Sequence, residues 1–243
     1  MRHELRVLAD PADVARAGAA LVAERARRAV AERGRFTFAV SGGHTPWAMF
    51  AELASEDVPW EHVVLYQVDE RVAPLGDPDR NLAHLRQALG AAPARVVPMP
   101  VEDDDLEAAA ASYAAALPDA FDLVHLGLGP DGHTASLVPD DPVLAVSDRL
   151  VALTCPYQDR VRMTLTYPAL ARAHQLLWLV IGADKKGPLA RLLAGDSGIP
   201  AGRVEAEASL VLADAAAGPE GPPGGPGPGP PSRHASEQGG STQ

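Results

Sequence analysis

Cysteine is almost absent: Cys155 stands alone among 243 residues. One thiol excludes an internal disulfide and cannot by itself build a cysteine-based zinc site. Long apolar runs are missing as well, and no window reaches the length of a membrane-spanning helix. The N-terminal stretch MRHELRVLADPADVARAG lacks the apolar core of a signal peptide. A soluble, cytoplasmic protein with no membrane partner is expected. Positive charge is in deficit, with 32 acids against 21 bases and a formal net charge of −11. Such a field repels polyanions and argues against general nucleic-acid binding. It leaves room for a small anionic substrate where cations gather locally. Lysine is scarce too, since every base except Lys185 and Lys186 is arginine. Arginine suits bidentate recognition of phosphate and carboxylate, although genome composition gives the same bias.

What is present is ordinary for a globular chain. Hydrophobic residues make up 47% and charged residues 22%, which excludes a wholly disordered polypeptide. The length fits a single α/β unit with a real core. Composition breaks at the end: thirteen of the fourteen residues from Gly218 to Pro231 are Gly or Pro. Residues 218–243 are therefore expected to form a disordered tail behind a domain of residues 1–217.

Within that domain, short apolar or β-branched runs occur at 36–40, 63–68, 121–128, 150–154 and 175–181. Near-continuous apolar runs fit strands covered on both faces. Helix-like segments lie at 11–33, 46–55, 78–89, 104–117 and 185–194. Asp10-Pro11, Thr45-Pro46 and Asp77-Pro78 each place a capping residue before a proline suited to a first helical turn. The alternation predicts a single-domain, Rossmann-like α/β fold, with a mostly parallel sheet and helices on both faces. In such folds the site lies at the carboxyl ends of the strands. Three polar clusters follow three of the expected strands, so the fold should gather them at one edge.

The first cluster is Ser41-Gly42-Gly43-His44-Thr45. Its glycines let backbone N–H groups approach a ligand, and the following helix N-terminus favours an anion. A tight turn without a ligand explains the same residues. His44 is either a ligand contact or a bystander. The second cluster is Asp69-Glu70-Arg71. It could orient a hydroxyl-bearing substrate and stabilise negative charge on it, or form a surface ion network. Arg80 is expected at the same cleft and Asn81 on a solvated first helical turn.

The third cluster, Gly127-Leu128-Gly129-Pro130-Asp131-Gly132-His133-Thr134, is the most informative. An imidazole titrates near neutrality, so His133 could take a proton from water and return it. Asp131 could orient that ring. A histidine at a strand end in a glycine-rich loop is weighted toward function. Downstream, Arg162 and Lys185 are candidate cations for a substrate phosphate. Asp103-Asp104-Asp105 reads as helix capping, and Cys155 as a small packing residue.

These stretches carry a likeness. The chain resembles the soluble α/β 6-phosphogluconolactonase family, within a superfamily that includes glucosamine-6-phosphate deaminase. The matching segments are SGGHTP at 41–46, VDERVAP at 68–74, LGLGPDGHTASLVP at 126–139, RVRMTLTYPAL at 160–170 and IGADKKGPL at 181–189. Thr134-Ala135-Ser136-Leu137 stands where the deaminases usually carry a different sequence. His44 and Val138 stand where the family often has serine and phenylalanine. The resemblance implies hydrolysis of 6-phospho-D-glucono-1,5-lactone, with no metal and no organic cofactor. His133 would be the base, assisted by Asp131. Arg71 would stabilise the oxyanion or hold the phosphate. Ser41, Gly42, Gly43, His44, Thr45, Asp69, Glu70, Arg80, Gly129, Gly132, Thr134, Arg162 and Lys185 would contact the substrate. A monomer or weak dimer is expected. Two other readings stay open: an amino-sugar-phosphate deaminase, and a sugar-phosphate-binding regulatory domain without turnover.

Overall fold

A computed structural model of the protein describes residues 2–219. In chain order the elements are β1 (Glu4–Leu8), α1 (Pro11–Arg33), β2 (Phe36–Val40), α2 (His44–Leu53), β3 (Val63–Gln67), β4 (Asp69–Arg71), α3 (Asn81–Leu89), β5 (Arg95–Val97), α4 (Leu106–Ala116), β6 (Leu123–Leu126), β7 (Val151–Leu153), β8 (Arg162–Leu165), α5 (Tyr167–Leu170), β9 (Gln175–Val180), α6 (Lys186–Leu193) and β10 (Ala208–Asp214). Seven strands form one sheet in the order β1-β10-β9-β6-β2-β3-β5. Every pairing within it is parallel. A second, antiparallel sheet of order β4-β8-β7 stands beside it.

The central strands are apolar on both faces because both faces are covered. On one side, Phe36, Phe38, Val40, Leu177 and Leu179 pack under Met49, Phe50 and Leu53 of α2 and the alanine-rich face of α1. Phe38 and Phe50 stack at 6.1 Å between ring centroids. On the other side, Val124, Leu126, Trp178 and Val180 meet Tyr113 of α4, Leu170 of α5 and Leu189 and Leu192 of α6. Each such side chain, fully buried, contributes roughly 1.5–3 kcal/mol. Loss of any one of these rings would open a cavity that its neighbours fill only partly.

Helix starts follow the sequence only in part. Asp10 caps α1 by accepting from the Asp13 N–H at 2.8 Å, and Asp105 caps α4 by accepting from the Ala108 N–H at 3.0 Å. Thr45 is not a cap: α2 begins at His44 with Gly43 in the cap position. Asp77-Pro78 lies in a turn, and α3 begins at Asn81. Cys155 is exposed rather than packed. Gly218 is held by its N–H to the Asp214 carbonyl at 2.9 Å. The remainder of the expected tail, residues 220–243, lies outside the described residues. Among the described residues no helix is long and apolar enough to cross a membrane.

The chain leaves β2 toward β3 and β5 on one side, whereas β6, β9 and β10 lie on the other. That reversal opens a crevice at the carboxyl ends of β2 and β6, the usual ligand position in open α/β sheets.

Candidate active site

A cleft of about 300 Å³ occupies that crevice. Each of the three clusters contributes to its walls. Ser41, Gly42, Gly43 and Thr45 come from the end of β2 and the start of α2; Asp69 and Arg71 come from β4; Gly129 and His133 come from the loop after β6. Arg162 of β8 and Lys185, just before α6, complete the lining. The small antiparallel sheet explains two of these. Asp69 pairs with Thr164 and Arg71 with Arg162, so β4 and β8 carry Asp69, Arg71 and Arg162 to the same wall.

The loop after β6 turns back on itself. The Gly129 N–H donates to the His133 carbonyl at 2.8 Å, and the Gly132 N–H to the Gly129 carbonyl at 3.0 Å. This tight closure leaves the His133 ring partly buried at the cleft. Its Nδ1 lies 2.6 Å from Asp131 Oδ1. The same oxygen accepts from the His133 backbone N–H at 3.1 Å. Burial of Asp131 works against its ionisation, but the His133 N–H and imidazole outweigh it and hold the carboxyl below the usual aspartate range. His133 Nε2 has no hydrogen-bond partner among the described residues. With Nδ1 engaged by a carboxylate, Nε2 is the nitrogen available to a ligand or water.

Tyr157 stands between the histidine and Arg162. Its ring stands edge-on to His133 at 5.9 Å, and the Arg162 guanidinium lies 5.0 Å above its centroid. Arg162 is buried, and burial pulls its guanidinium below the usual arginine range. It donates to Gln158 Oε1 at 2.8 Å. Arg71 donates through Nη1 to the Asp79 carbonyl at 2.9 Å and to the Asn81 side-chain oxygen. Lys185 Nζ meets Asp184 at 2.9 Å. Asp69 accepts from the Ser136 hydroxyl at 2.7 Å. The cleft therefore joins three cationic side chains to one imidazole–carboxylate pair. That suits an anionic ligand on which a proton must be moved. Among the described residues no group of three or more His, Cys, Asp or Glu side chains is arranged to hold a metal.

Several expected contacts are placed elsewhere. Glu70 is fully buried beneath the cleft and does not line it. Arg80 is also buried, in ion pairs with Glu70 at 3.1 Å and Glu102 at 2.6 Å. Gly132 and Thr134 belong to the turn behind His133 and not to the wall. His44 faces an adjoining pocket with Trp47 and His84. Asp131 reaches the cleft only through His133.

Conversely, Asn81 lines the cleft instead of solvating a helical turn. Its position became legible only once α3 was seen to start there. His125 and Tyr157 have no place in the sequence reading. His125 is fully buried on β6, and neither ring nitrogen has a partner among the described residues. Burial pushes its pKa down to about 3. The available signal was a histidine inside an apolar strand, which is uncommon without a partner.

A family profile described as glucosamine-6-phosphate isomerases/6-phosphogluconolactonase matches residues 9–212. The chain is similar to a 6-phosphogluconolactonase of Synechocystis sp., 37% identical over 216 residues that cover 81% of this chain and 89% of that protein. It is also 40% identical over 176 residues to the GDH/6PGL endoplasmic bifunctional protein of Homo sapiens, of which it spans only 22%. Among solved structures, a 6-phosphogluconolactonase from Thermotoga maritima superposes with a TM-score of 0.79 at 27% identity. That match covers 88% of this chain and 100% of the other.

Proposed function

Because the chain belongs to the glucosamine-6-phosphate isomerase/6-phosphogluconolactonase family, we propose that it hydrolyses 6-phospho-D-glucono-1,5-lactone to 6-phospho-D-gluconate. The observation that carries this reading is the Asp131–His133 bond of 2.6 Å, in a cleft shared with Arg71, Arg162 and Lys185. A lactone carbonyl is already electrophilic. Its hydrolysis needs a placed water, a base and stabilisation of the oxyanion, and no redox step.

In the proposed reaction His133 Nε2 takes a proton as the water oxygen attacks the carbonyl carbon. The carbonyl π pair moves onto its oxygen. When the tetrahedral adduct collapses, the bond from carbon to ring oxygen breaks, and His133 returns the proton to that oxygen. Asp131 keeps Nδ1 engaged and stabilises the imidazolium between the two transfers. Arg71, with backbone N–H groups of the glycine loops, suits either the oxyanion or the substrate phosphate. Arg162, Lys185 and the N-terminal end of α2 are the remaining phosphate and sugar contacts.

The test is direct. The lactone is generated in situ, and its disappearance is followed with and without the protein. Disappearance faster than the spontaneous background is expected. Ammonia release from glucosamine 6-phosphate would instead assign the deaminase reaction, and tight sugar-phosphate binding without turnover a regulatory domain.

A further inference from the structure

Strand β4 is three charged residues long, and side chains alternate across a strand. Asp69 and Arg71 reach the cleft, whereas Glu70 points away from it into the protein and is fully buried. Its carboxylate is crowded with donors. Oε1 accepts from the backbone N–H groups of Arg71 and Asn81, both at 2.8 Å. Oε2 accepts from the Leu82 N–H and from Gln67 Nε2, also at 2.8 Å. Arg80 Nε supplies the counter-charge at 3.1 Å.

Helix α3 has no side-chain cap of its own, because Arg80 occupies the cap position. Its first two N–H groups end on Glu70 instead. A carboxylate from a separate strand thus satisfies donors that a local cap would otherwise take, at the end of the helix that favours negative charge. The consequence for the cleft runs through Asn81, the first residue of that helix. Asn81 donates through Nδ2 to the Asp69 carbonyl at 3.0 Å and accepts from Arg71 Nη1. One buried carboxylate therefore holds Arg71 at two points: directly at its backbone N–H, and at its guanidinium through the helix residue that accepts from it.

We propose that Glu70 is the positioning residue of this cleft, setting the Arg71 guanidinium through Asn81 without touching the ligand. The inference rests on the lactonase reading. Burying a carboxylate is costly unless it is paired and hydrogen-bonded. Here four of the five donors around it come from the cleft residues Arg71 and Asn81 or from Arg80 and Leu82, which flank Asn81 in sequence. Glu70→Gln keeps the shape but replaces one acceptor with a donor that faces N–H groups.

The experiment is a double-mutant cycle on lactone hydrolysis. Glu70→Gln in the wild-type background is expected to lower kcat/KM by roughly 10- to 100-fold, the scale of a misplaced reacting group. In an Arg71→Ala background the same substitution is expected to cost less than about 3-fold, because the group it positions is gone. Equal losses in both backgrounds, or no loss in the first, would overturn the proposal. A purely structural role gives equal losses. Should Glu70→Gln fail to fold, Asn81→Ala carries the same cycle. It cuts the link while sparing the backbone donors, and the same two outcomes decide.

Wild-type protein that leaves the lactone at its spontaneous rate overturns the functional reading. The role of Glu70 is then decided by the Arg71 guanidinium N–H resonances. Broadening or loss of these signals in folded Glu70→Gln supports positioning, and unchanged signals overturn it.

Discussion

A Cβ placed on Gly129 would lie 2.1 Å from His133 Nδ1 and 2.7 Å from Asp131 Oδ1. The imidazole–carboxylate pair is seated directly on the backbone of the loop that carries it. Gly129→Ala is expected to displace the ring and lower kcat by about 100-fold. Its thermal midpoint should stay close to wild type, because Gly129 does not occupy the left-handed region. Steady-state kinetics and a melting curve on the same preparation check both halves.

Gly132, three residues on, predicts the reverse emphasis. Its φ is +84°, and an added Cβ would meet Ile199 at 2.6 Å. Gly132→Ala combines left-handed strain with overpacking and should destabilise the fold by about 2–4 kcal/mol. Urea unfolding measures this as a lowered midpoint with an unchanged slope.

Asp131 is held below the usual carboxyl range against the effect of its own burial. It therefore keeps its charge through mildly acidic pH. Asp131→Asn retains an oxygen for Nδ1 but loses that charge. A fall in kcat of about 10- to 100-fold is expected, smaller than the loss on removing the imidazole itself. A rate equal to wild type at neutral pH would remove Asp131 from the reaction.

His125 links pH to stability. Its pKa is near 3 in the folded protein against an ordinary value of 6.5, because burial disfavours the cation. Below pH 6.5 the unfolded chain binds a proton that the folded chain refuses, so stability is lost as the pH falls. The slope is about 1.4 kcal/mol per pH unit down to roughly pH 3. His125→Leu removes this slope and two buried unpartnered nitrogens. It is expected to be at least as stable as wild type at pH 7 and increasingly more stable in acid. Parallel stability curves for the two proteins between pH 7 and 4.5 would contradict this.

The sequence spoke clearly where burial leaves a pattern. The run 36–40 is β2 at both ends, and those at 63–68 and 175–181 are one residue longer than β3 and β9. All are strands covered on both sides. Strands β1 and β10 escaped notice for physical reasons. ELRVL is a half-exposed edge strand, and ASLVLAD dilutes its apolar residues with small and polar ones. Asp69-Glu70-Arg71 has no intrinsic strand preference; it is a strand because β8 pairs with it. That pairing also decides which of its charges meet the cleft. Proximity in sequence put Glu70 and Arg80 in the site with Asp69 and Arg71. The alternation of the strand and the late start of α3 place both underneath, and bring Asn81 to the surface of the cleft instead. Tyr157 joins the site from a distant turn through its contacts with His133 and Arg162, which no local pattern encodes.

The central claim is that His133 moves the proton. The measurement is lactone hydrolysis by His133→Ala, referred to the spontaneous rate in the same buffer, with circular dichroism confirming the fold. The account predicts a kcat lower by about 100- to 10,000-fold on an intact structure. Turnover close to that of the wild-type protein would contradict it.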